Sequence, residues 1–167
     1  MTGLKQLLLS SRPISWVNTA FPFAAAYYVV TERIDLPLIV GLLFFLIPYN
    51  LLMYGINDVF DYESDLRNPR KGGIEGALLD PRYHRLTLVL AFGIAAPFAV
   101  VLSTVNLNAT IWLWVTLFTV VAYSLKGLRF KEIPFLDSLT SASHFVGPML
   151  VGLAMAGAEV TTFHLLG

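Results

Sequence analysis

Asn57-Asp58-Val59-Phe60-Asp61-Tyr62-Glu63-Ser64-Asp65 closes an uncharged run that extends from Leu36 to Asn57. A run of that length crosses a bilayer as a helix, so the acidic stretch is expected at a membrane surface. An α-helix turns about 100° per residue. With Asn57 at zero, Asp61 falls at about 40°, Asp65 at about 80° and Asp58 at about 100°. One amide and three carboxylates share this arc, whereas Glu63 points about 240° round. Asn50 and Tyr54 lie on the same arc, back inside the apolar run, and are expected to line a cavity.

Three carboxylates on one face repel, and partial desolvation sharpens the repulsion. A cation must neutralise them. Hard oxygen donors with no Cys nearby suit Mg²⁺, which is usually held by one or two carboxylates together with substrate phosphates.

The 167 residues are 56% hydrophobic and 13% charged, with no cysteine. Mean hydropathy is +0.70. This is too apolar for a soluble domain of the same size. The formal net charge is zero, which gives no basis for a nucleic-acid surface. Disulfides, thiolate metal sites and a Cys nucleophile are excluded. No secretory signal is read at the start: Leu7-Leu8-Leu9 is too short a run, and no cleavage site follows.

Further uncharged runs extend from Pro13 to Thr31, from Leu86 to Leu125 and from Ser138 to Ala158. The first and last are each long enough for one span; the middle one is long enough for two, hinged at Ser103 to Asn108. The expectation is an all-α membrane protein in a single domain, 1–167. Its five transmembrane helices fall at about 13–31, 36–57, 86–103, 108–125 and 138–158. Residues 1–12 read as an amphipathic lead on the lipid surface.

Ten of the eleven basic residues fall on one side of such a bundle; only Arg33 is opposite. Lys and Arg collect on the cytoplasmic side of membrane proteins. The N-terminus and the acidic loop are therefore expected in the cytoplasm of a multi-pass protein, with a bacterial plasma membrane as its location. Basic residues also lie on the loop after the fourth span, Tyr123-Ser124-Leu125-Lys126-Gly127-Leu128-Arg129-Phe130-Lys131-Glu132. Acid on one loop and base on both is what a metal–diphosphate site requires. An apolar bundle behind it admits a lipid with an allylic diphosphate head. Departure of diphosphate leaves an allylic cation, which Tyr54, Phe60 or Trp114 can shield with their π faces.

The chain resembles the intramembrane (UbiA-type) prenyltransferases. Asn57, Asp58, Asp61 and Asp65 match that family's N-D-x-x-D-x-x-x-D motif. Arg12-Pro13 resembles the start of its first helix. Tyr123-Ser124 with Arg129 and Lys131 resembles its Tyr-Ser-x-Pro-Pro-x-Arg-x-Lys segment, with Lys126-Gly127 in place of Pro-Pro. The likeness implies that Asn57, Asp58, Asp61 and Asp65 hold Mg²⁺ and form the catalytic set. It implies diphosphate binding by Arg129, Lys131, Lys126, Arg70, Lys71, Arg12 and Tyr123. Where the family has Asn-Arg-Pro, this chain has Arg70-Lys71-Gly72-Gly73-Ile74-Glu75-Gly76. That departure, with Ser11 to Thr19 and Pro48-Tyr49-Asn50, is similar to the bacterial lycopene elongase branch. This implies dimethylallyl diphosphate as donor and lycopene as acceptor, in the making of C50 carotenoids. A quinone ring, haem or chlorophyll is the alternative acceptor. Outside the class, the alternative is a non-enzymatic cation-binding membrane subunit or half of a transporter. Transporters place their ionisable groups near mid-membrane, which argues against that reading.

The family has about nine helices and a second aspartate cluster. Five spans and one cluster are expected here, with Asp80 and Asp137 isolated. On that likeness the sequence looks like the N-terminal part of such an enzyme. Either a fragment or a split subunit with a C-terminal partner half is expected, inactive alone.

Overall fold

A computed structural model describes residues 3–69 and 78–158, and every regular element among them is helical. Three helical stretches are long and apolar enough to cross a membrane: Leu36–Phe60, Pro81–Leu102 and Leu107–Ser124. The described residues form an all-helical membrane bundle.

Helix α1 (Gly3–Ser10) leads through Pro13–Ser15, a 3₁₀ turn, into α2 (Trp16–Thr31). Glu32, at φ 54°, ends α2, and Asp35 opens α3 (Leu36–Leu46) by accepting a hydrogen bond from the Leu38 amide at 3.2 Å. Pro48 then interrupts what hydropathy alone reads as one helix. Its ring cannot continue α3, so Ile47 leaves ideal geometry and α4 (Pro48–Phe60) starts anew. The carbonyls at the end of α3 lose their helical partners there. Asn50 Nδ2 supplies replacements, donating to Phe45 O at 2.8 Å and Leu46 O at 3.1 Å. The Thr19 hydroxyl, from α2, also donates to Phe45 O at 2.7 Å.

After a short α5 (Tyr62–Asp65), the chain returns through a 3₁₀ turn at Pro81–Tyr83 into α6 (His84–Leu102). Helix α7 (Leu107–Ser124) is capped by Asn106, whose side chain accepts from the Ala109 amide at 2.7 Å. Helix α8 (Pro134–Met155) runs between α2 and α7. Small residues make this possible. A Cβ on Gly152 would lie 2.5 Å from Phe23 O of α2, and one on Gly147 would lie 2.6 Å from the Thr116 side chain of α7.

The core is aromatic around the α3–α4 break. Phe23, Phe44, Phe45 and Tyr49 are fully buried or nearly so, with the Phe45 ring 5.0 Å from Phe23 and 5.1 Å from Tyr49. Tilted and edge-on ring pairs of this kind favour one packing over alternatives. The arrangement fixes the direction of α4, and therefore the position of its acidic C-terminal end.

Candidate active site

The end of α4 meets two turns that carry the basic residues. In the first, Pro13 disfavours the right-handed helical region for Arg12. Arg12 adopts φ 49°, ψ 73°, and Trp16 Nε1 holds the bend by donating to Ser11 O at 3.0 Å. The bend returns the guanidinium to α4. Its Cζ lies 4.2 Å from the Tyr54 ring centroid, and Nη2 lies 3.5 Å from Asp58 Oδ1. Asp58 is buried.

The second turn follows α7. Gly127 (φ 102°) and Arg129 (φ 41°) reverse the chain, and the Leu128 and Arg129 amides both donate to Leu125 O at 3.0 Å. This brings Arg129 Nη2 to 3.4 Å from Asp61 Oδ1 and Nη1 to 3.4 Å from Phe60 O. Arg129 Nε also donates to Glu132 at 2.6 Å. Lys131 Nζ donates to Asp61 Oδ2 and, at 3.4 Å, to Ser124 Oγ. Asn57 Nδ2 completes the cluster, donating to Asp61 Oδ2 at 2.8 Å and Ser124 Oγ at 3.1 Å. Among the described residues, three that are not glycine have positive φ: Arg12, Glu32 and Arg129. Two of the three are arginines that touch the acidic helix end. Such backbone is costly and gathers where function requires it.

Beside Asn57 opens a cavity of about 240 Å³, lined by Arg12, Tyr54, Asn57, Tyr123, Ser141 and His144, with Met53 and Phe145 as its apolar part. Tyr123 stands between the two halves of the site. Its ring is 4.9 Å from that of His144 and 5.8 Å from Lys131 Nζ.

The remaining expected residues lie as follows. Asp65 ends α5 half-buried, Glu63 is exposed, and Lys126 is exposed on the second turn. Arg70 and Lys71 fall outside the described residues. Asn50 does not line the cavity; it is buried at the α3–α4 break, because the interrupted helix needs its amide there. Trp114 lines a separate apolar groove of about 350 Å³ between α6 and α7, away from the carboxylates. Arg82 is taken by Asp80. Its side-chain hydrogen bond is the main cause that holds the Asp80 carboxyl down to about 2. Ser124 has no role in the reading of the sequence, although its hydroxyl links Asn57 to Lys131. Only the Tyr-Ser pair hints at it.

Asn57, Asp58 and Asp61 offer an amide and carboxylates within two turns of one helix end, all hard oxygen donors of the kind Mg²⁺ takes. The donor chemistry fits that ion. The carboxylates do not form one group, however: among the described residues no three Asp, Glu or His side chains come together. Asp58 turns to Arg12 and Asp61 to Lys131 and Arg129, so acid and base alternate across the helix end.

Residues 17–167 match the UbiA prenyltransferase family. Among curated proteins, the chain is 60% identical over 159 residues to the C(50) beta-cyclic carotenoids biosynthesis protein LbtBC of Dietzia sp., covering 95% of this chain and 37% of that protein. It is 53% identical over 161 residues to a lycopene elongase/hydratase of Corynebacterium glutamicum, covering 95% of this chain and 56% of that protein. A lycopene elongase/hydratase of Halobacterium salinarum is 37% identical over 171 residues, with 96% of this chain and 57% of that protein covered. The chain thus spans about half or less of the length of these relatives. No solved structure matches it. With the family matched across nine-tenths of its length and three apolar helices long enough to span, this chain is an integral membrane protein and belongs to the UbiA prenyltransferase family.

Proposed function

We propose that this chain carries the diphosphate-binding end of a lycopene elongase, which transfers a dimethylallyl group from its diphosphate to lycopene. The observation that carries the reading is the helix end where Asp58 and Asp61 meet Arg12, Arg129 and Lys131 beside a cavity. The named relatives supply the substrate class; the geometry supplies the chemistry. Asn57, Asp58, Asp61 and Asp65 would hold Mg²⁺, which neutralises charge on the departing diphosphate. Arg129 and Lys131 would bind the diphosphate oxygens, with Arg12, Tyr123, Lys126, Arg70 and Lys71 around them. Because Arg129 and Lys131 already share Asp61, an incoming anion can recruit them without a large movement of backbone. Tyr54 would shield positive charge, its ring already facing the Arg12 guanidinium.

In this reading α2, α3 with α4, α6, α7 and α8 are five spans, and the acidic end of α4 faces the cytoplasm. The excess of Lys and Arg at that end supports the orientation.

The test uses the full-length protein in membranes supplied with Mg²⁺, dimethylallyl diphosphate and lycopene. Products longer than lycopene by one and by two prenyl units are expected. Unmodified lycopene, with prenylation of a quinone ring offered in the same membranes, would overturn the choice of acceptor.

A further inference from the structure

His144 lies in the middle of α8, buried, in the wall of the cavity that Asn57 also lines. Three contacts set its position. Pro148 has no amide hydrogen, so the His144 carbonyl lacks its helical donor; the Tyr49 hydroxyl donates to it instead at 3.0 Å. Tyr123 stands edge-on to the ring at 4.9 Å. The ring also lies beside the Thr119 backbone of α7. Nε2 is buried and has no partner among the described residues. A neutral imidazole that donates through one nitrogen presents a basic lone pair on the other. Leaving such an atom dry and unpaired is unfavourable unless a ligand meets it.

We propose that His144 Nε2 accepts the proton lost after the new carbon–carbon bond forms. This deepens the prenyltransferase reading and rests on it. The C1–O bond of the allylic diphosphate breaks, and its electron pair leaves with diphosphate. The terminal double bond of the polyene acceptor supplies the pair for the new bond, leaving a tertiary cation on the acceptor. A C–H bond next to that cation gives its pair to a new double bond and its proton to Nε2. The imidazolium then yields the proton to water as product leaves. The rival acceptor of this proton is the departed diphosphate. The charged and titratable side chains sharing the cavity are Arg12, whose charge meets Asp58, together with Tyr54 and Tyr123. Beyond Tyr123 stand Lys131 and Asp137, the latter near the Tyr123 hydroxyl. Tyr49 faces the His144 carbonyl from α4, and α2 contributes no side chain to the cavity lining.

The experiment uses the full-length enzyme in membranes and compares it with His144→Asn, which keeps a donor near Thr119 but no base. Binding of a non-cleavable dimethylallyl thiolodiphosphate with Mg²⁺ is expected to stay within about twofold. The olefinic product is expected to fall about a hundredfold, in line with loss of a proton acceptor, while water-quenched alcohol rises relative to it. In the unmodified enzyme the olefinic fraction should fall as pH is lowered, because a proton on Nε2 removes the acceptor; in the variant it should be flat. Intact binding with an unchanged product ratio and pH profile would assign the proton to diphosphate and overturn the proposal. Should the variant fail to fold, His144→Gln takes its place with the same readouts, and intact binding with an unchanged product ratio again overturns the proposal. Failure of the underlying function has a different signature, since no prenylated product of either kind would form at any pH.

Discussion

Asp61 accepts from three side chains, Asn57, Arg129 and Lys131, and is mostly sequestered from solvent. Truncation leaves two cations facing each other with nothing between them. Asp61→Ala should therefore cut turnover of the full-length enzyme by orders of magnitude. It should also destabilise the fold by about 1–3 kcal/mol, less than for a fully buried pair because Arg129 keeps partial contact with water. Glu63→Ala, on an exposed residue, should leave turnover within about twofold. Equal losses from the two variants, measured side by side, would mean the helix face was misread. The helical period is enough to put Asn57 and Asp61 one above the other. Which cation each carboxylate meets is not legible in the sequence, because Arg12 is 46 residues from Asp58 and Lys131 is 70 residues from Asp61. Such pairings depend on how the helices dock. Arg129 adds a backbone test. At φ 41° it occupies a conformation that costs an L-residue about 1 kcal/mol. Arg129→Gly should hold or raise the melting temperature in detergent while weakening Mg²⁺-dependent diphosphate binding about tenfold or more. A variant that melts early and still binds would show that the guanidinium is structural.

Helix α4 is aimed by a break rather than by a straight rod. The uncharged run Leu36 to Asn57 reads as one span, and hydropathy carries no information on the interruption at Pro48. The polar residue in its middle, Asn50, lies on the arc of the acidic motif and so reads as a cavity residue. Packing overrides that reading: the carbonyls of Phe45 and Leu46, freed by the break, require donors, and Asn50 reaches both. Its Nδ2 also bonds Thr19 Oγ1 at 2.7 Å, tying the break to α2. Asn50→Ala removes these bonds and leaves Leu46 O without its side-chain donor, while Phe45 O keeps the Thr19 hydroxyl, at about 1–3 kcal/mol. Loss of thermal stability in detergent with little change in substrate affinity per folded molecule is the expected result; an unchanged melting curve would contradict the role. Glycines on two helices give an internal contrast. Gly152→Ala puts a methyl group 2.5 Å from Phe23 O and should cost about 1–3 kcal/mol as α2 and α8 separate. Gly93→Ala, in α6 with nothing within 4 Å, should be neutral or stabilising by up to about 1 kcal/mol. The close α2–α8 approach has no sequence signal beyond the small residues themselves.

At the scale of the molecule, the helices alternate so that two ends differ sharply in charge. Arg12, Asp58, Asp61, Arg129 and Lys131 gather at one end. At the other, Asn106 Nδ2 donates to Ala154 O at 2.9 Å, and Tyr27 donates to Asp35 at 2.9 Å; among the described residues, Arg33 is the lone basic residue there. The proposed orientation keeps that first cluster in the cytoplasm, since moving it across a membrane would require desolvating all of its charged groups. Because the chain contains no cysteine, single cysteines can report the two ends without background. Thr104→Cys lies in the turn between α6 and α7, and Ile34→Cys lies between α2 and α3; both positions are exposed. In intact cells, both should react with a membrane-impermeant maleimide. Glu63→Cys and Lys126→Cys, exposed at the opposite end, should react only after permeabilisation. The two pairs must exchange behaviour if the bundle is inserted the other way, which would put the proposed diphosphate site outside the cell, away from any cytoplasmic supply of allylic diphosphate. Labelling of Thr104→Cys and Lys126→Cys from the same side would go further, because α7 joins those two positions, and would mean that α7 does not span.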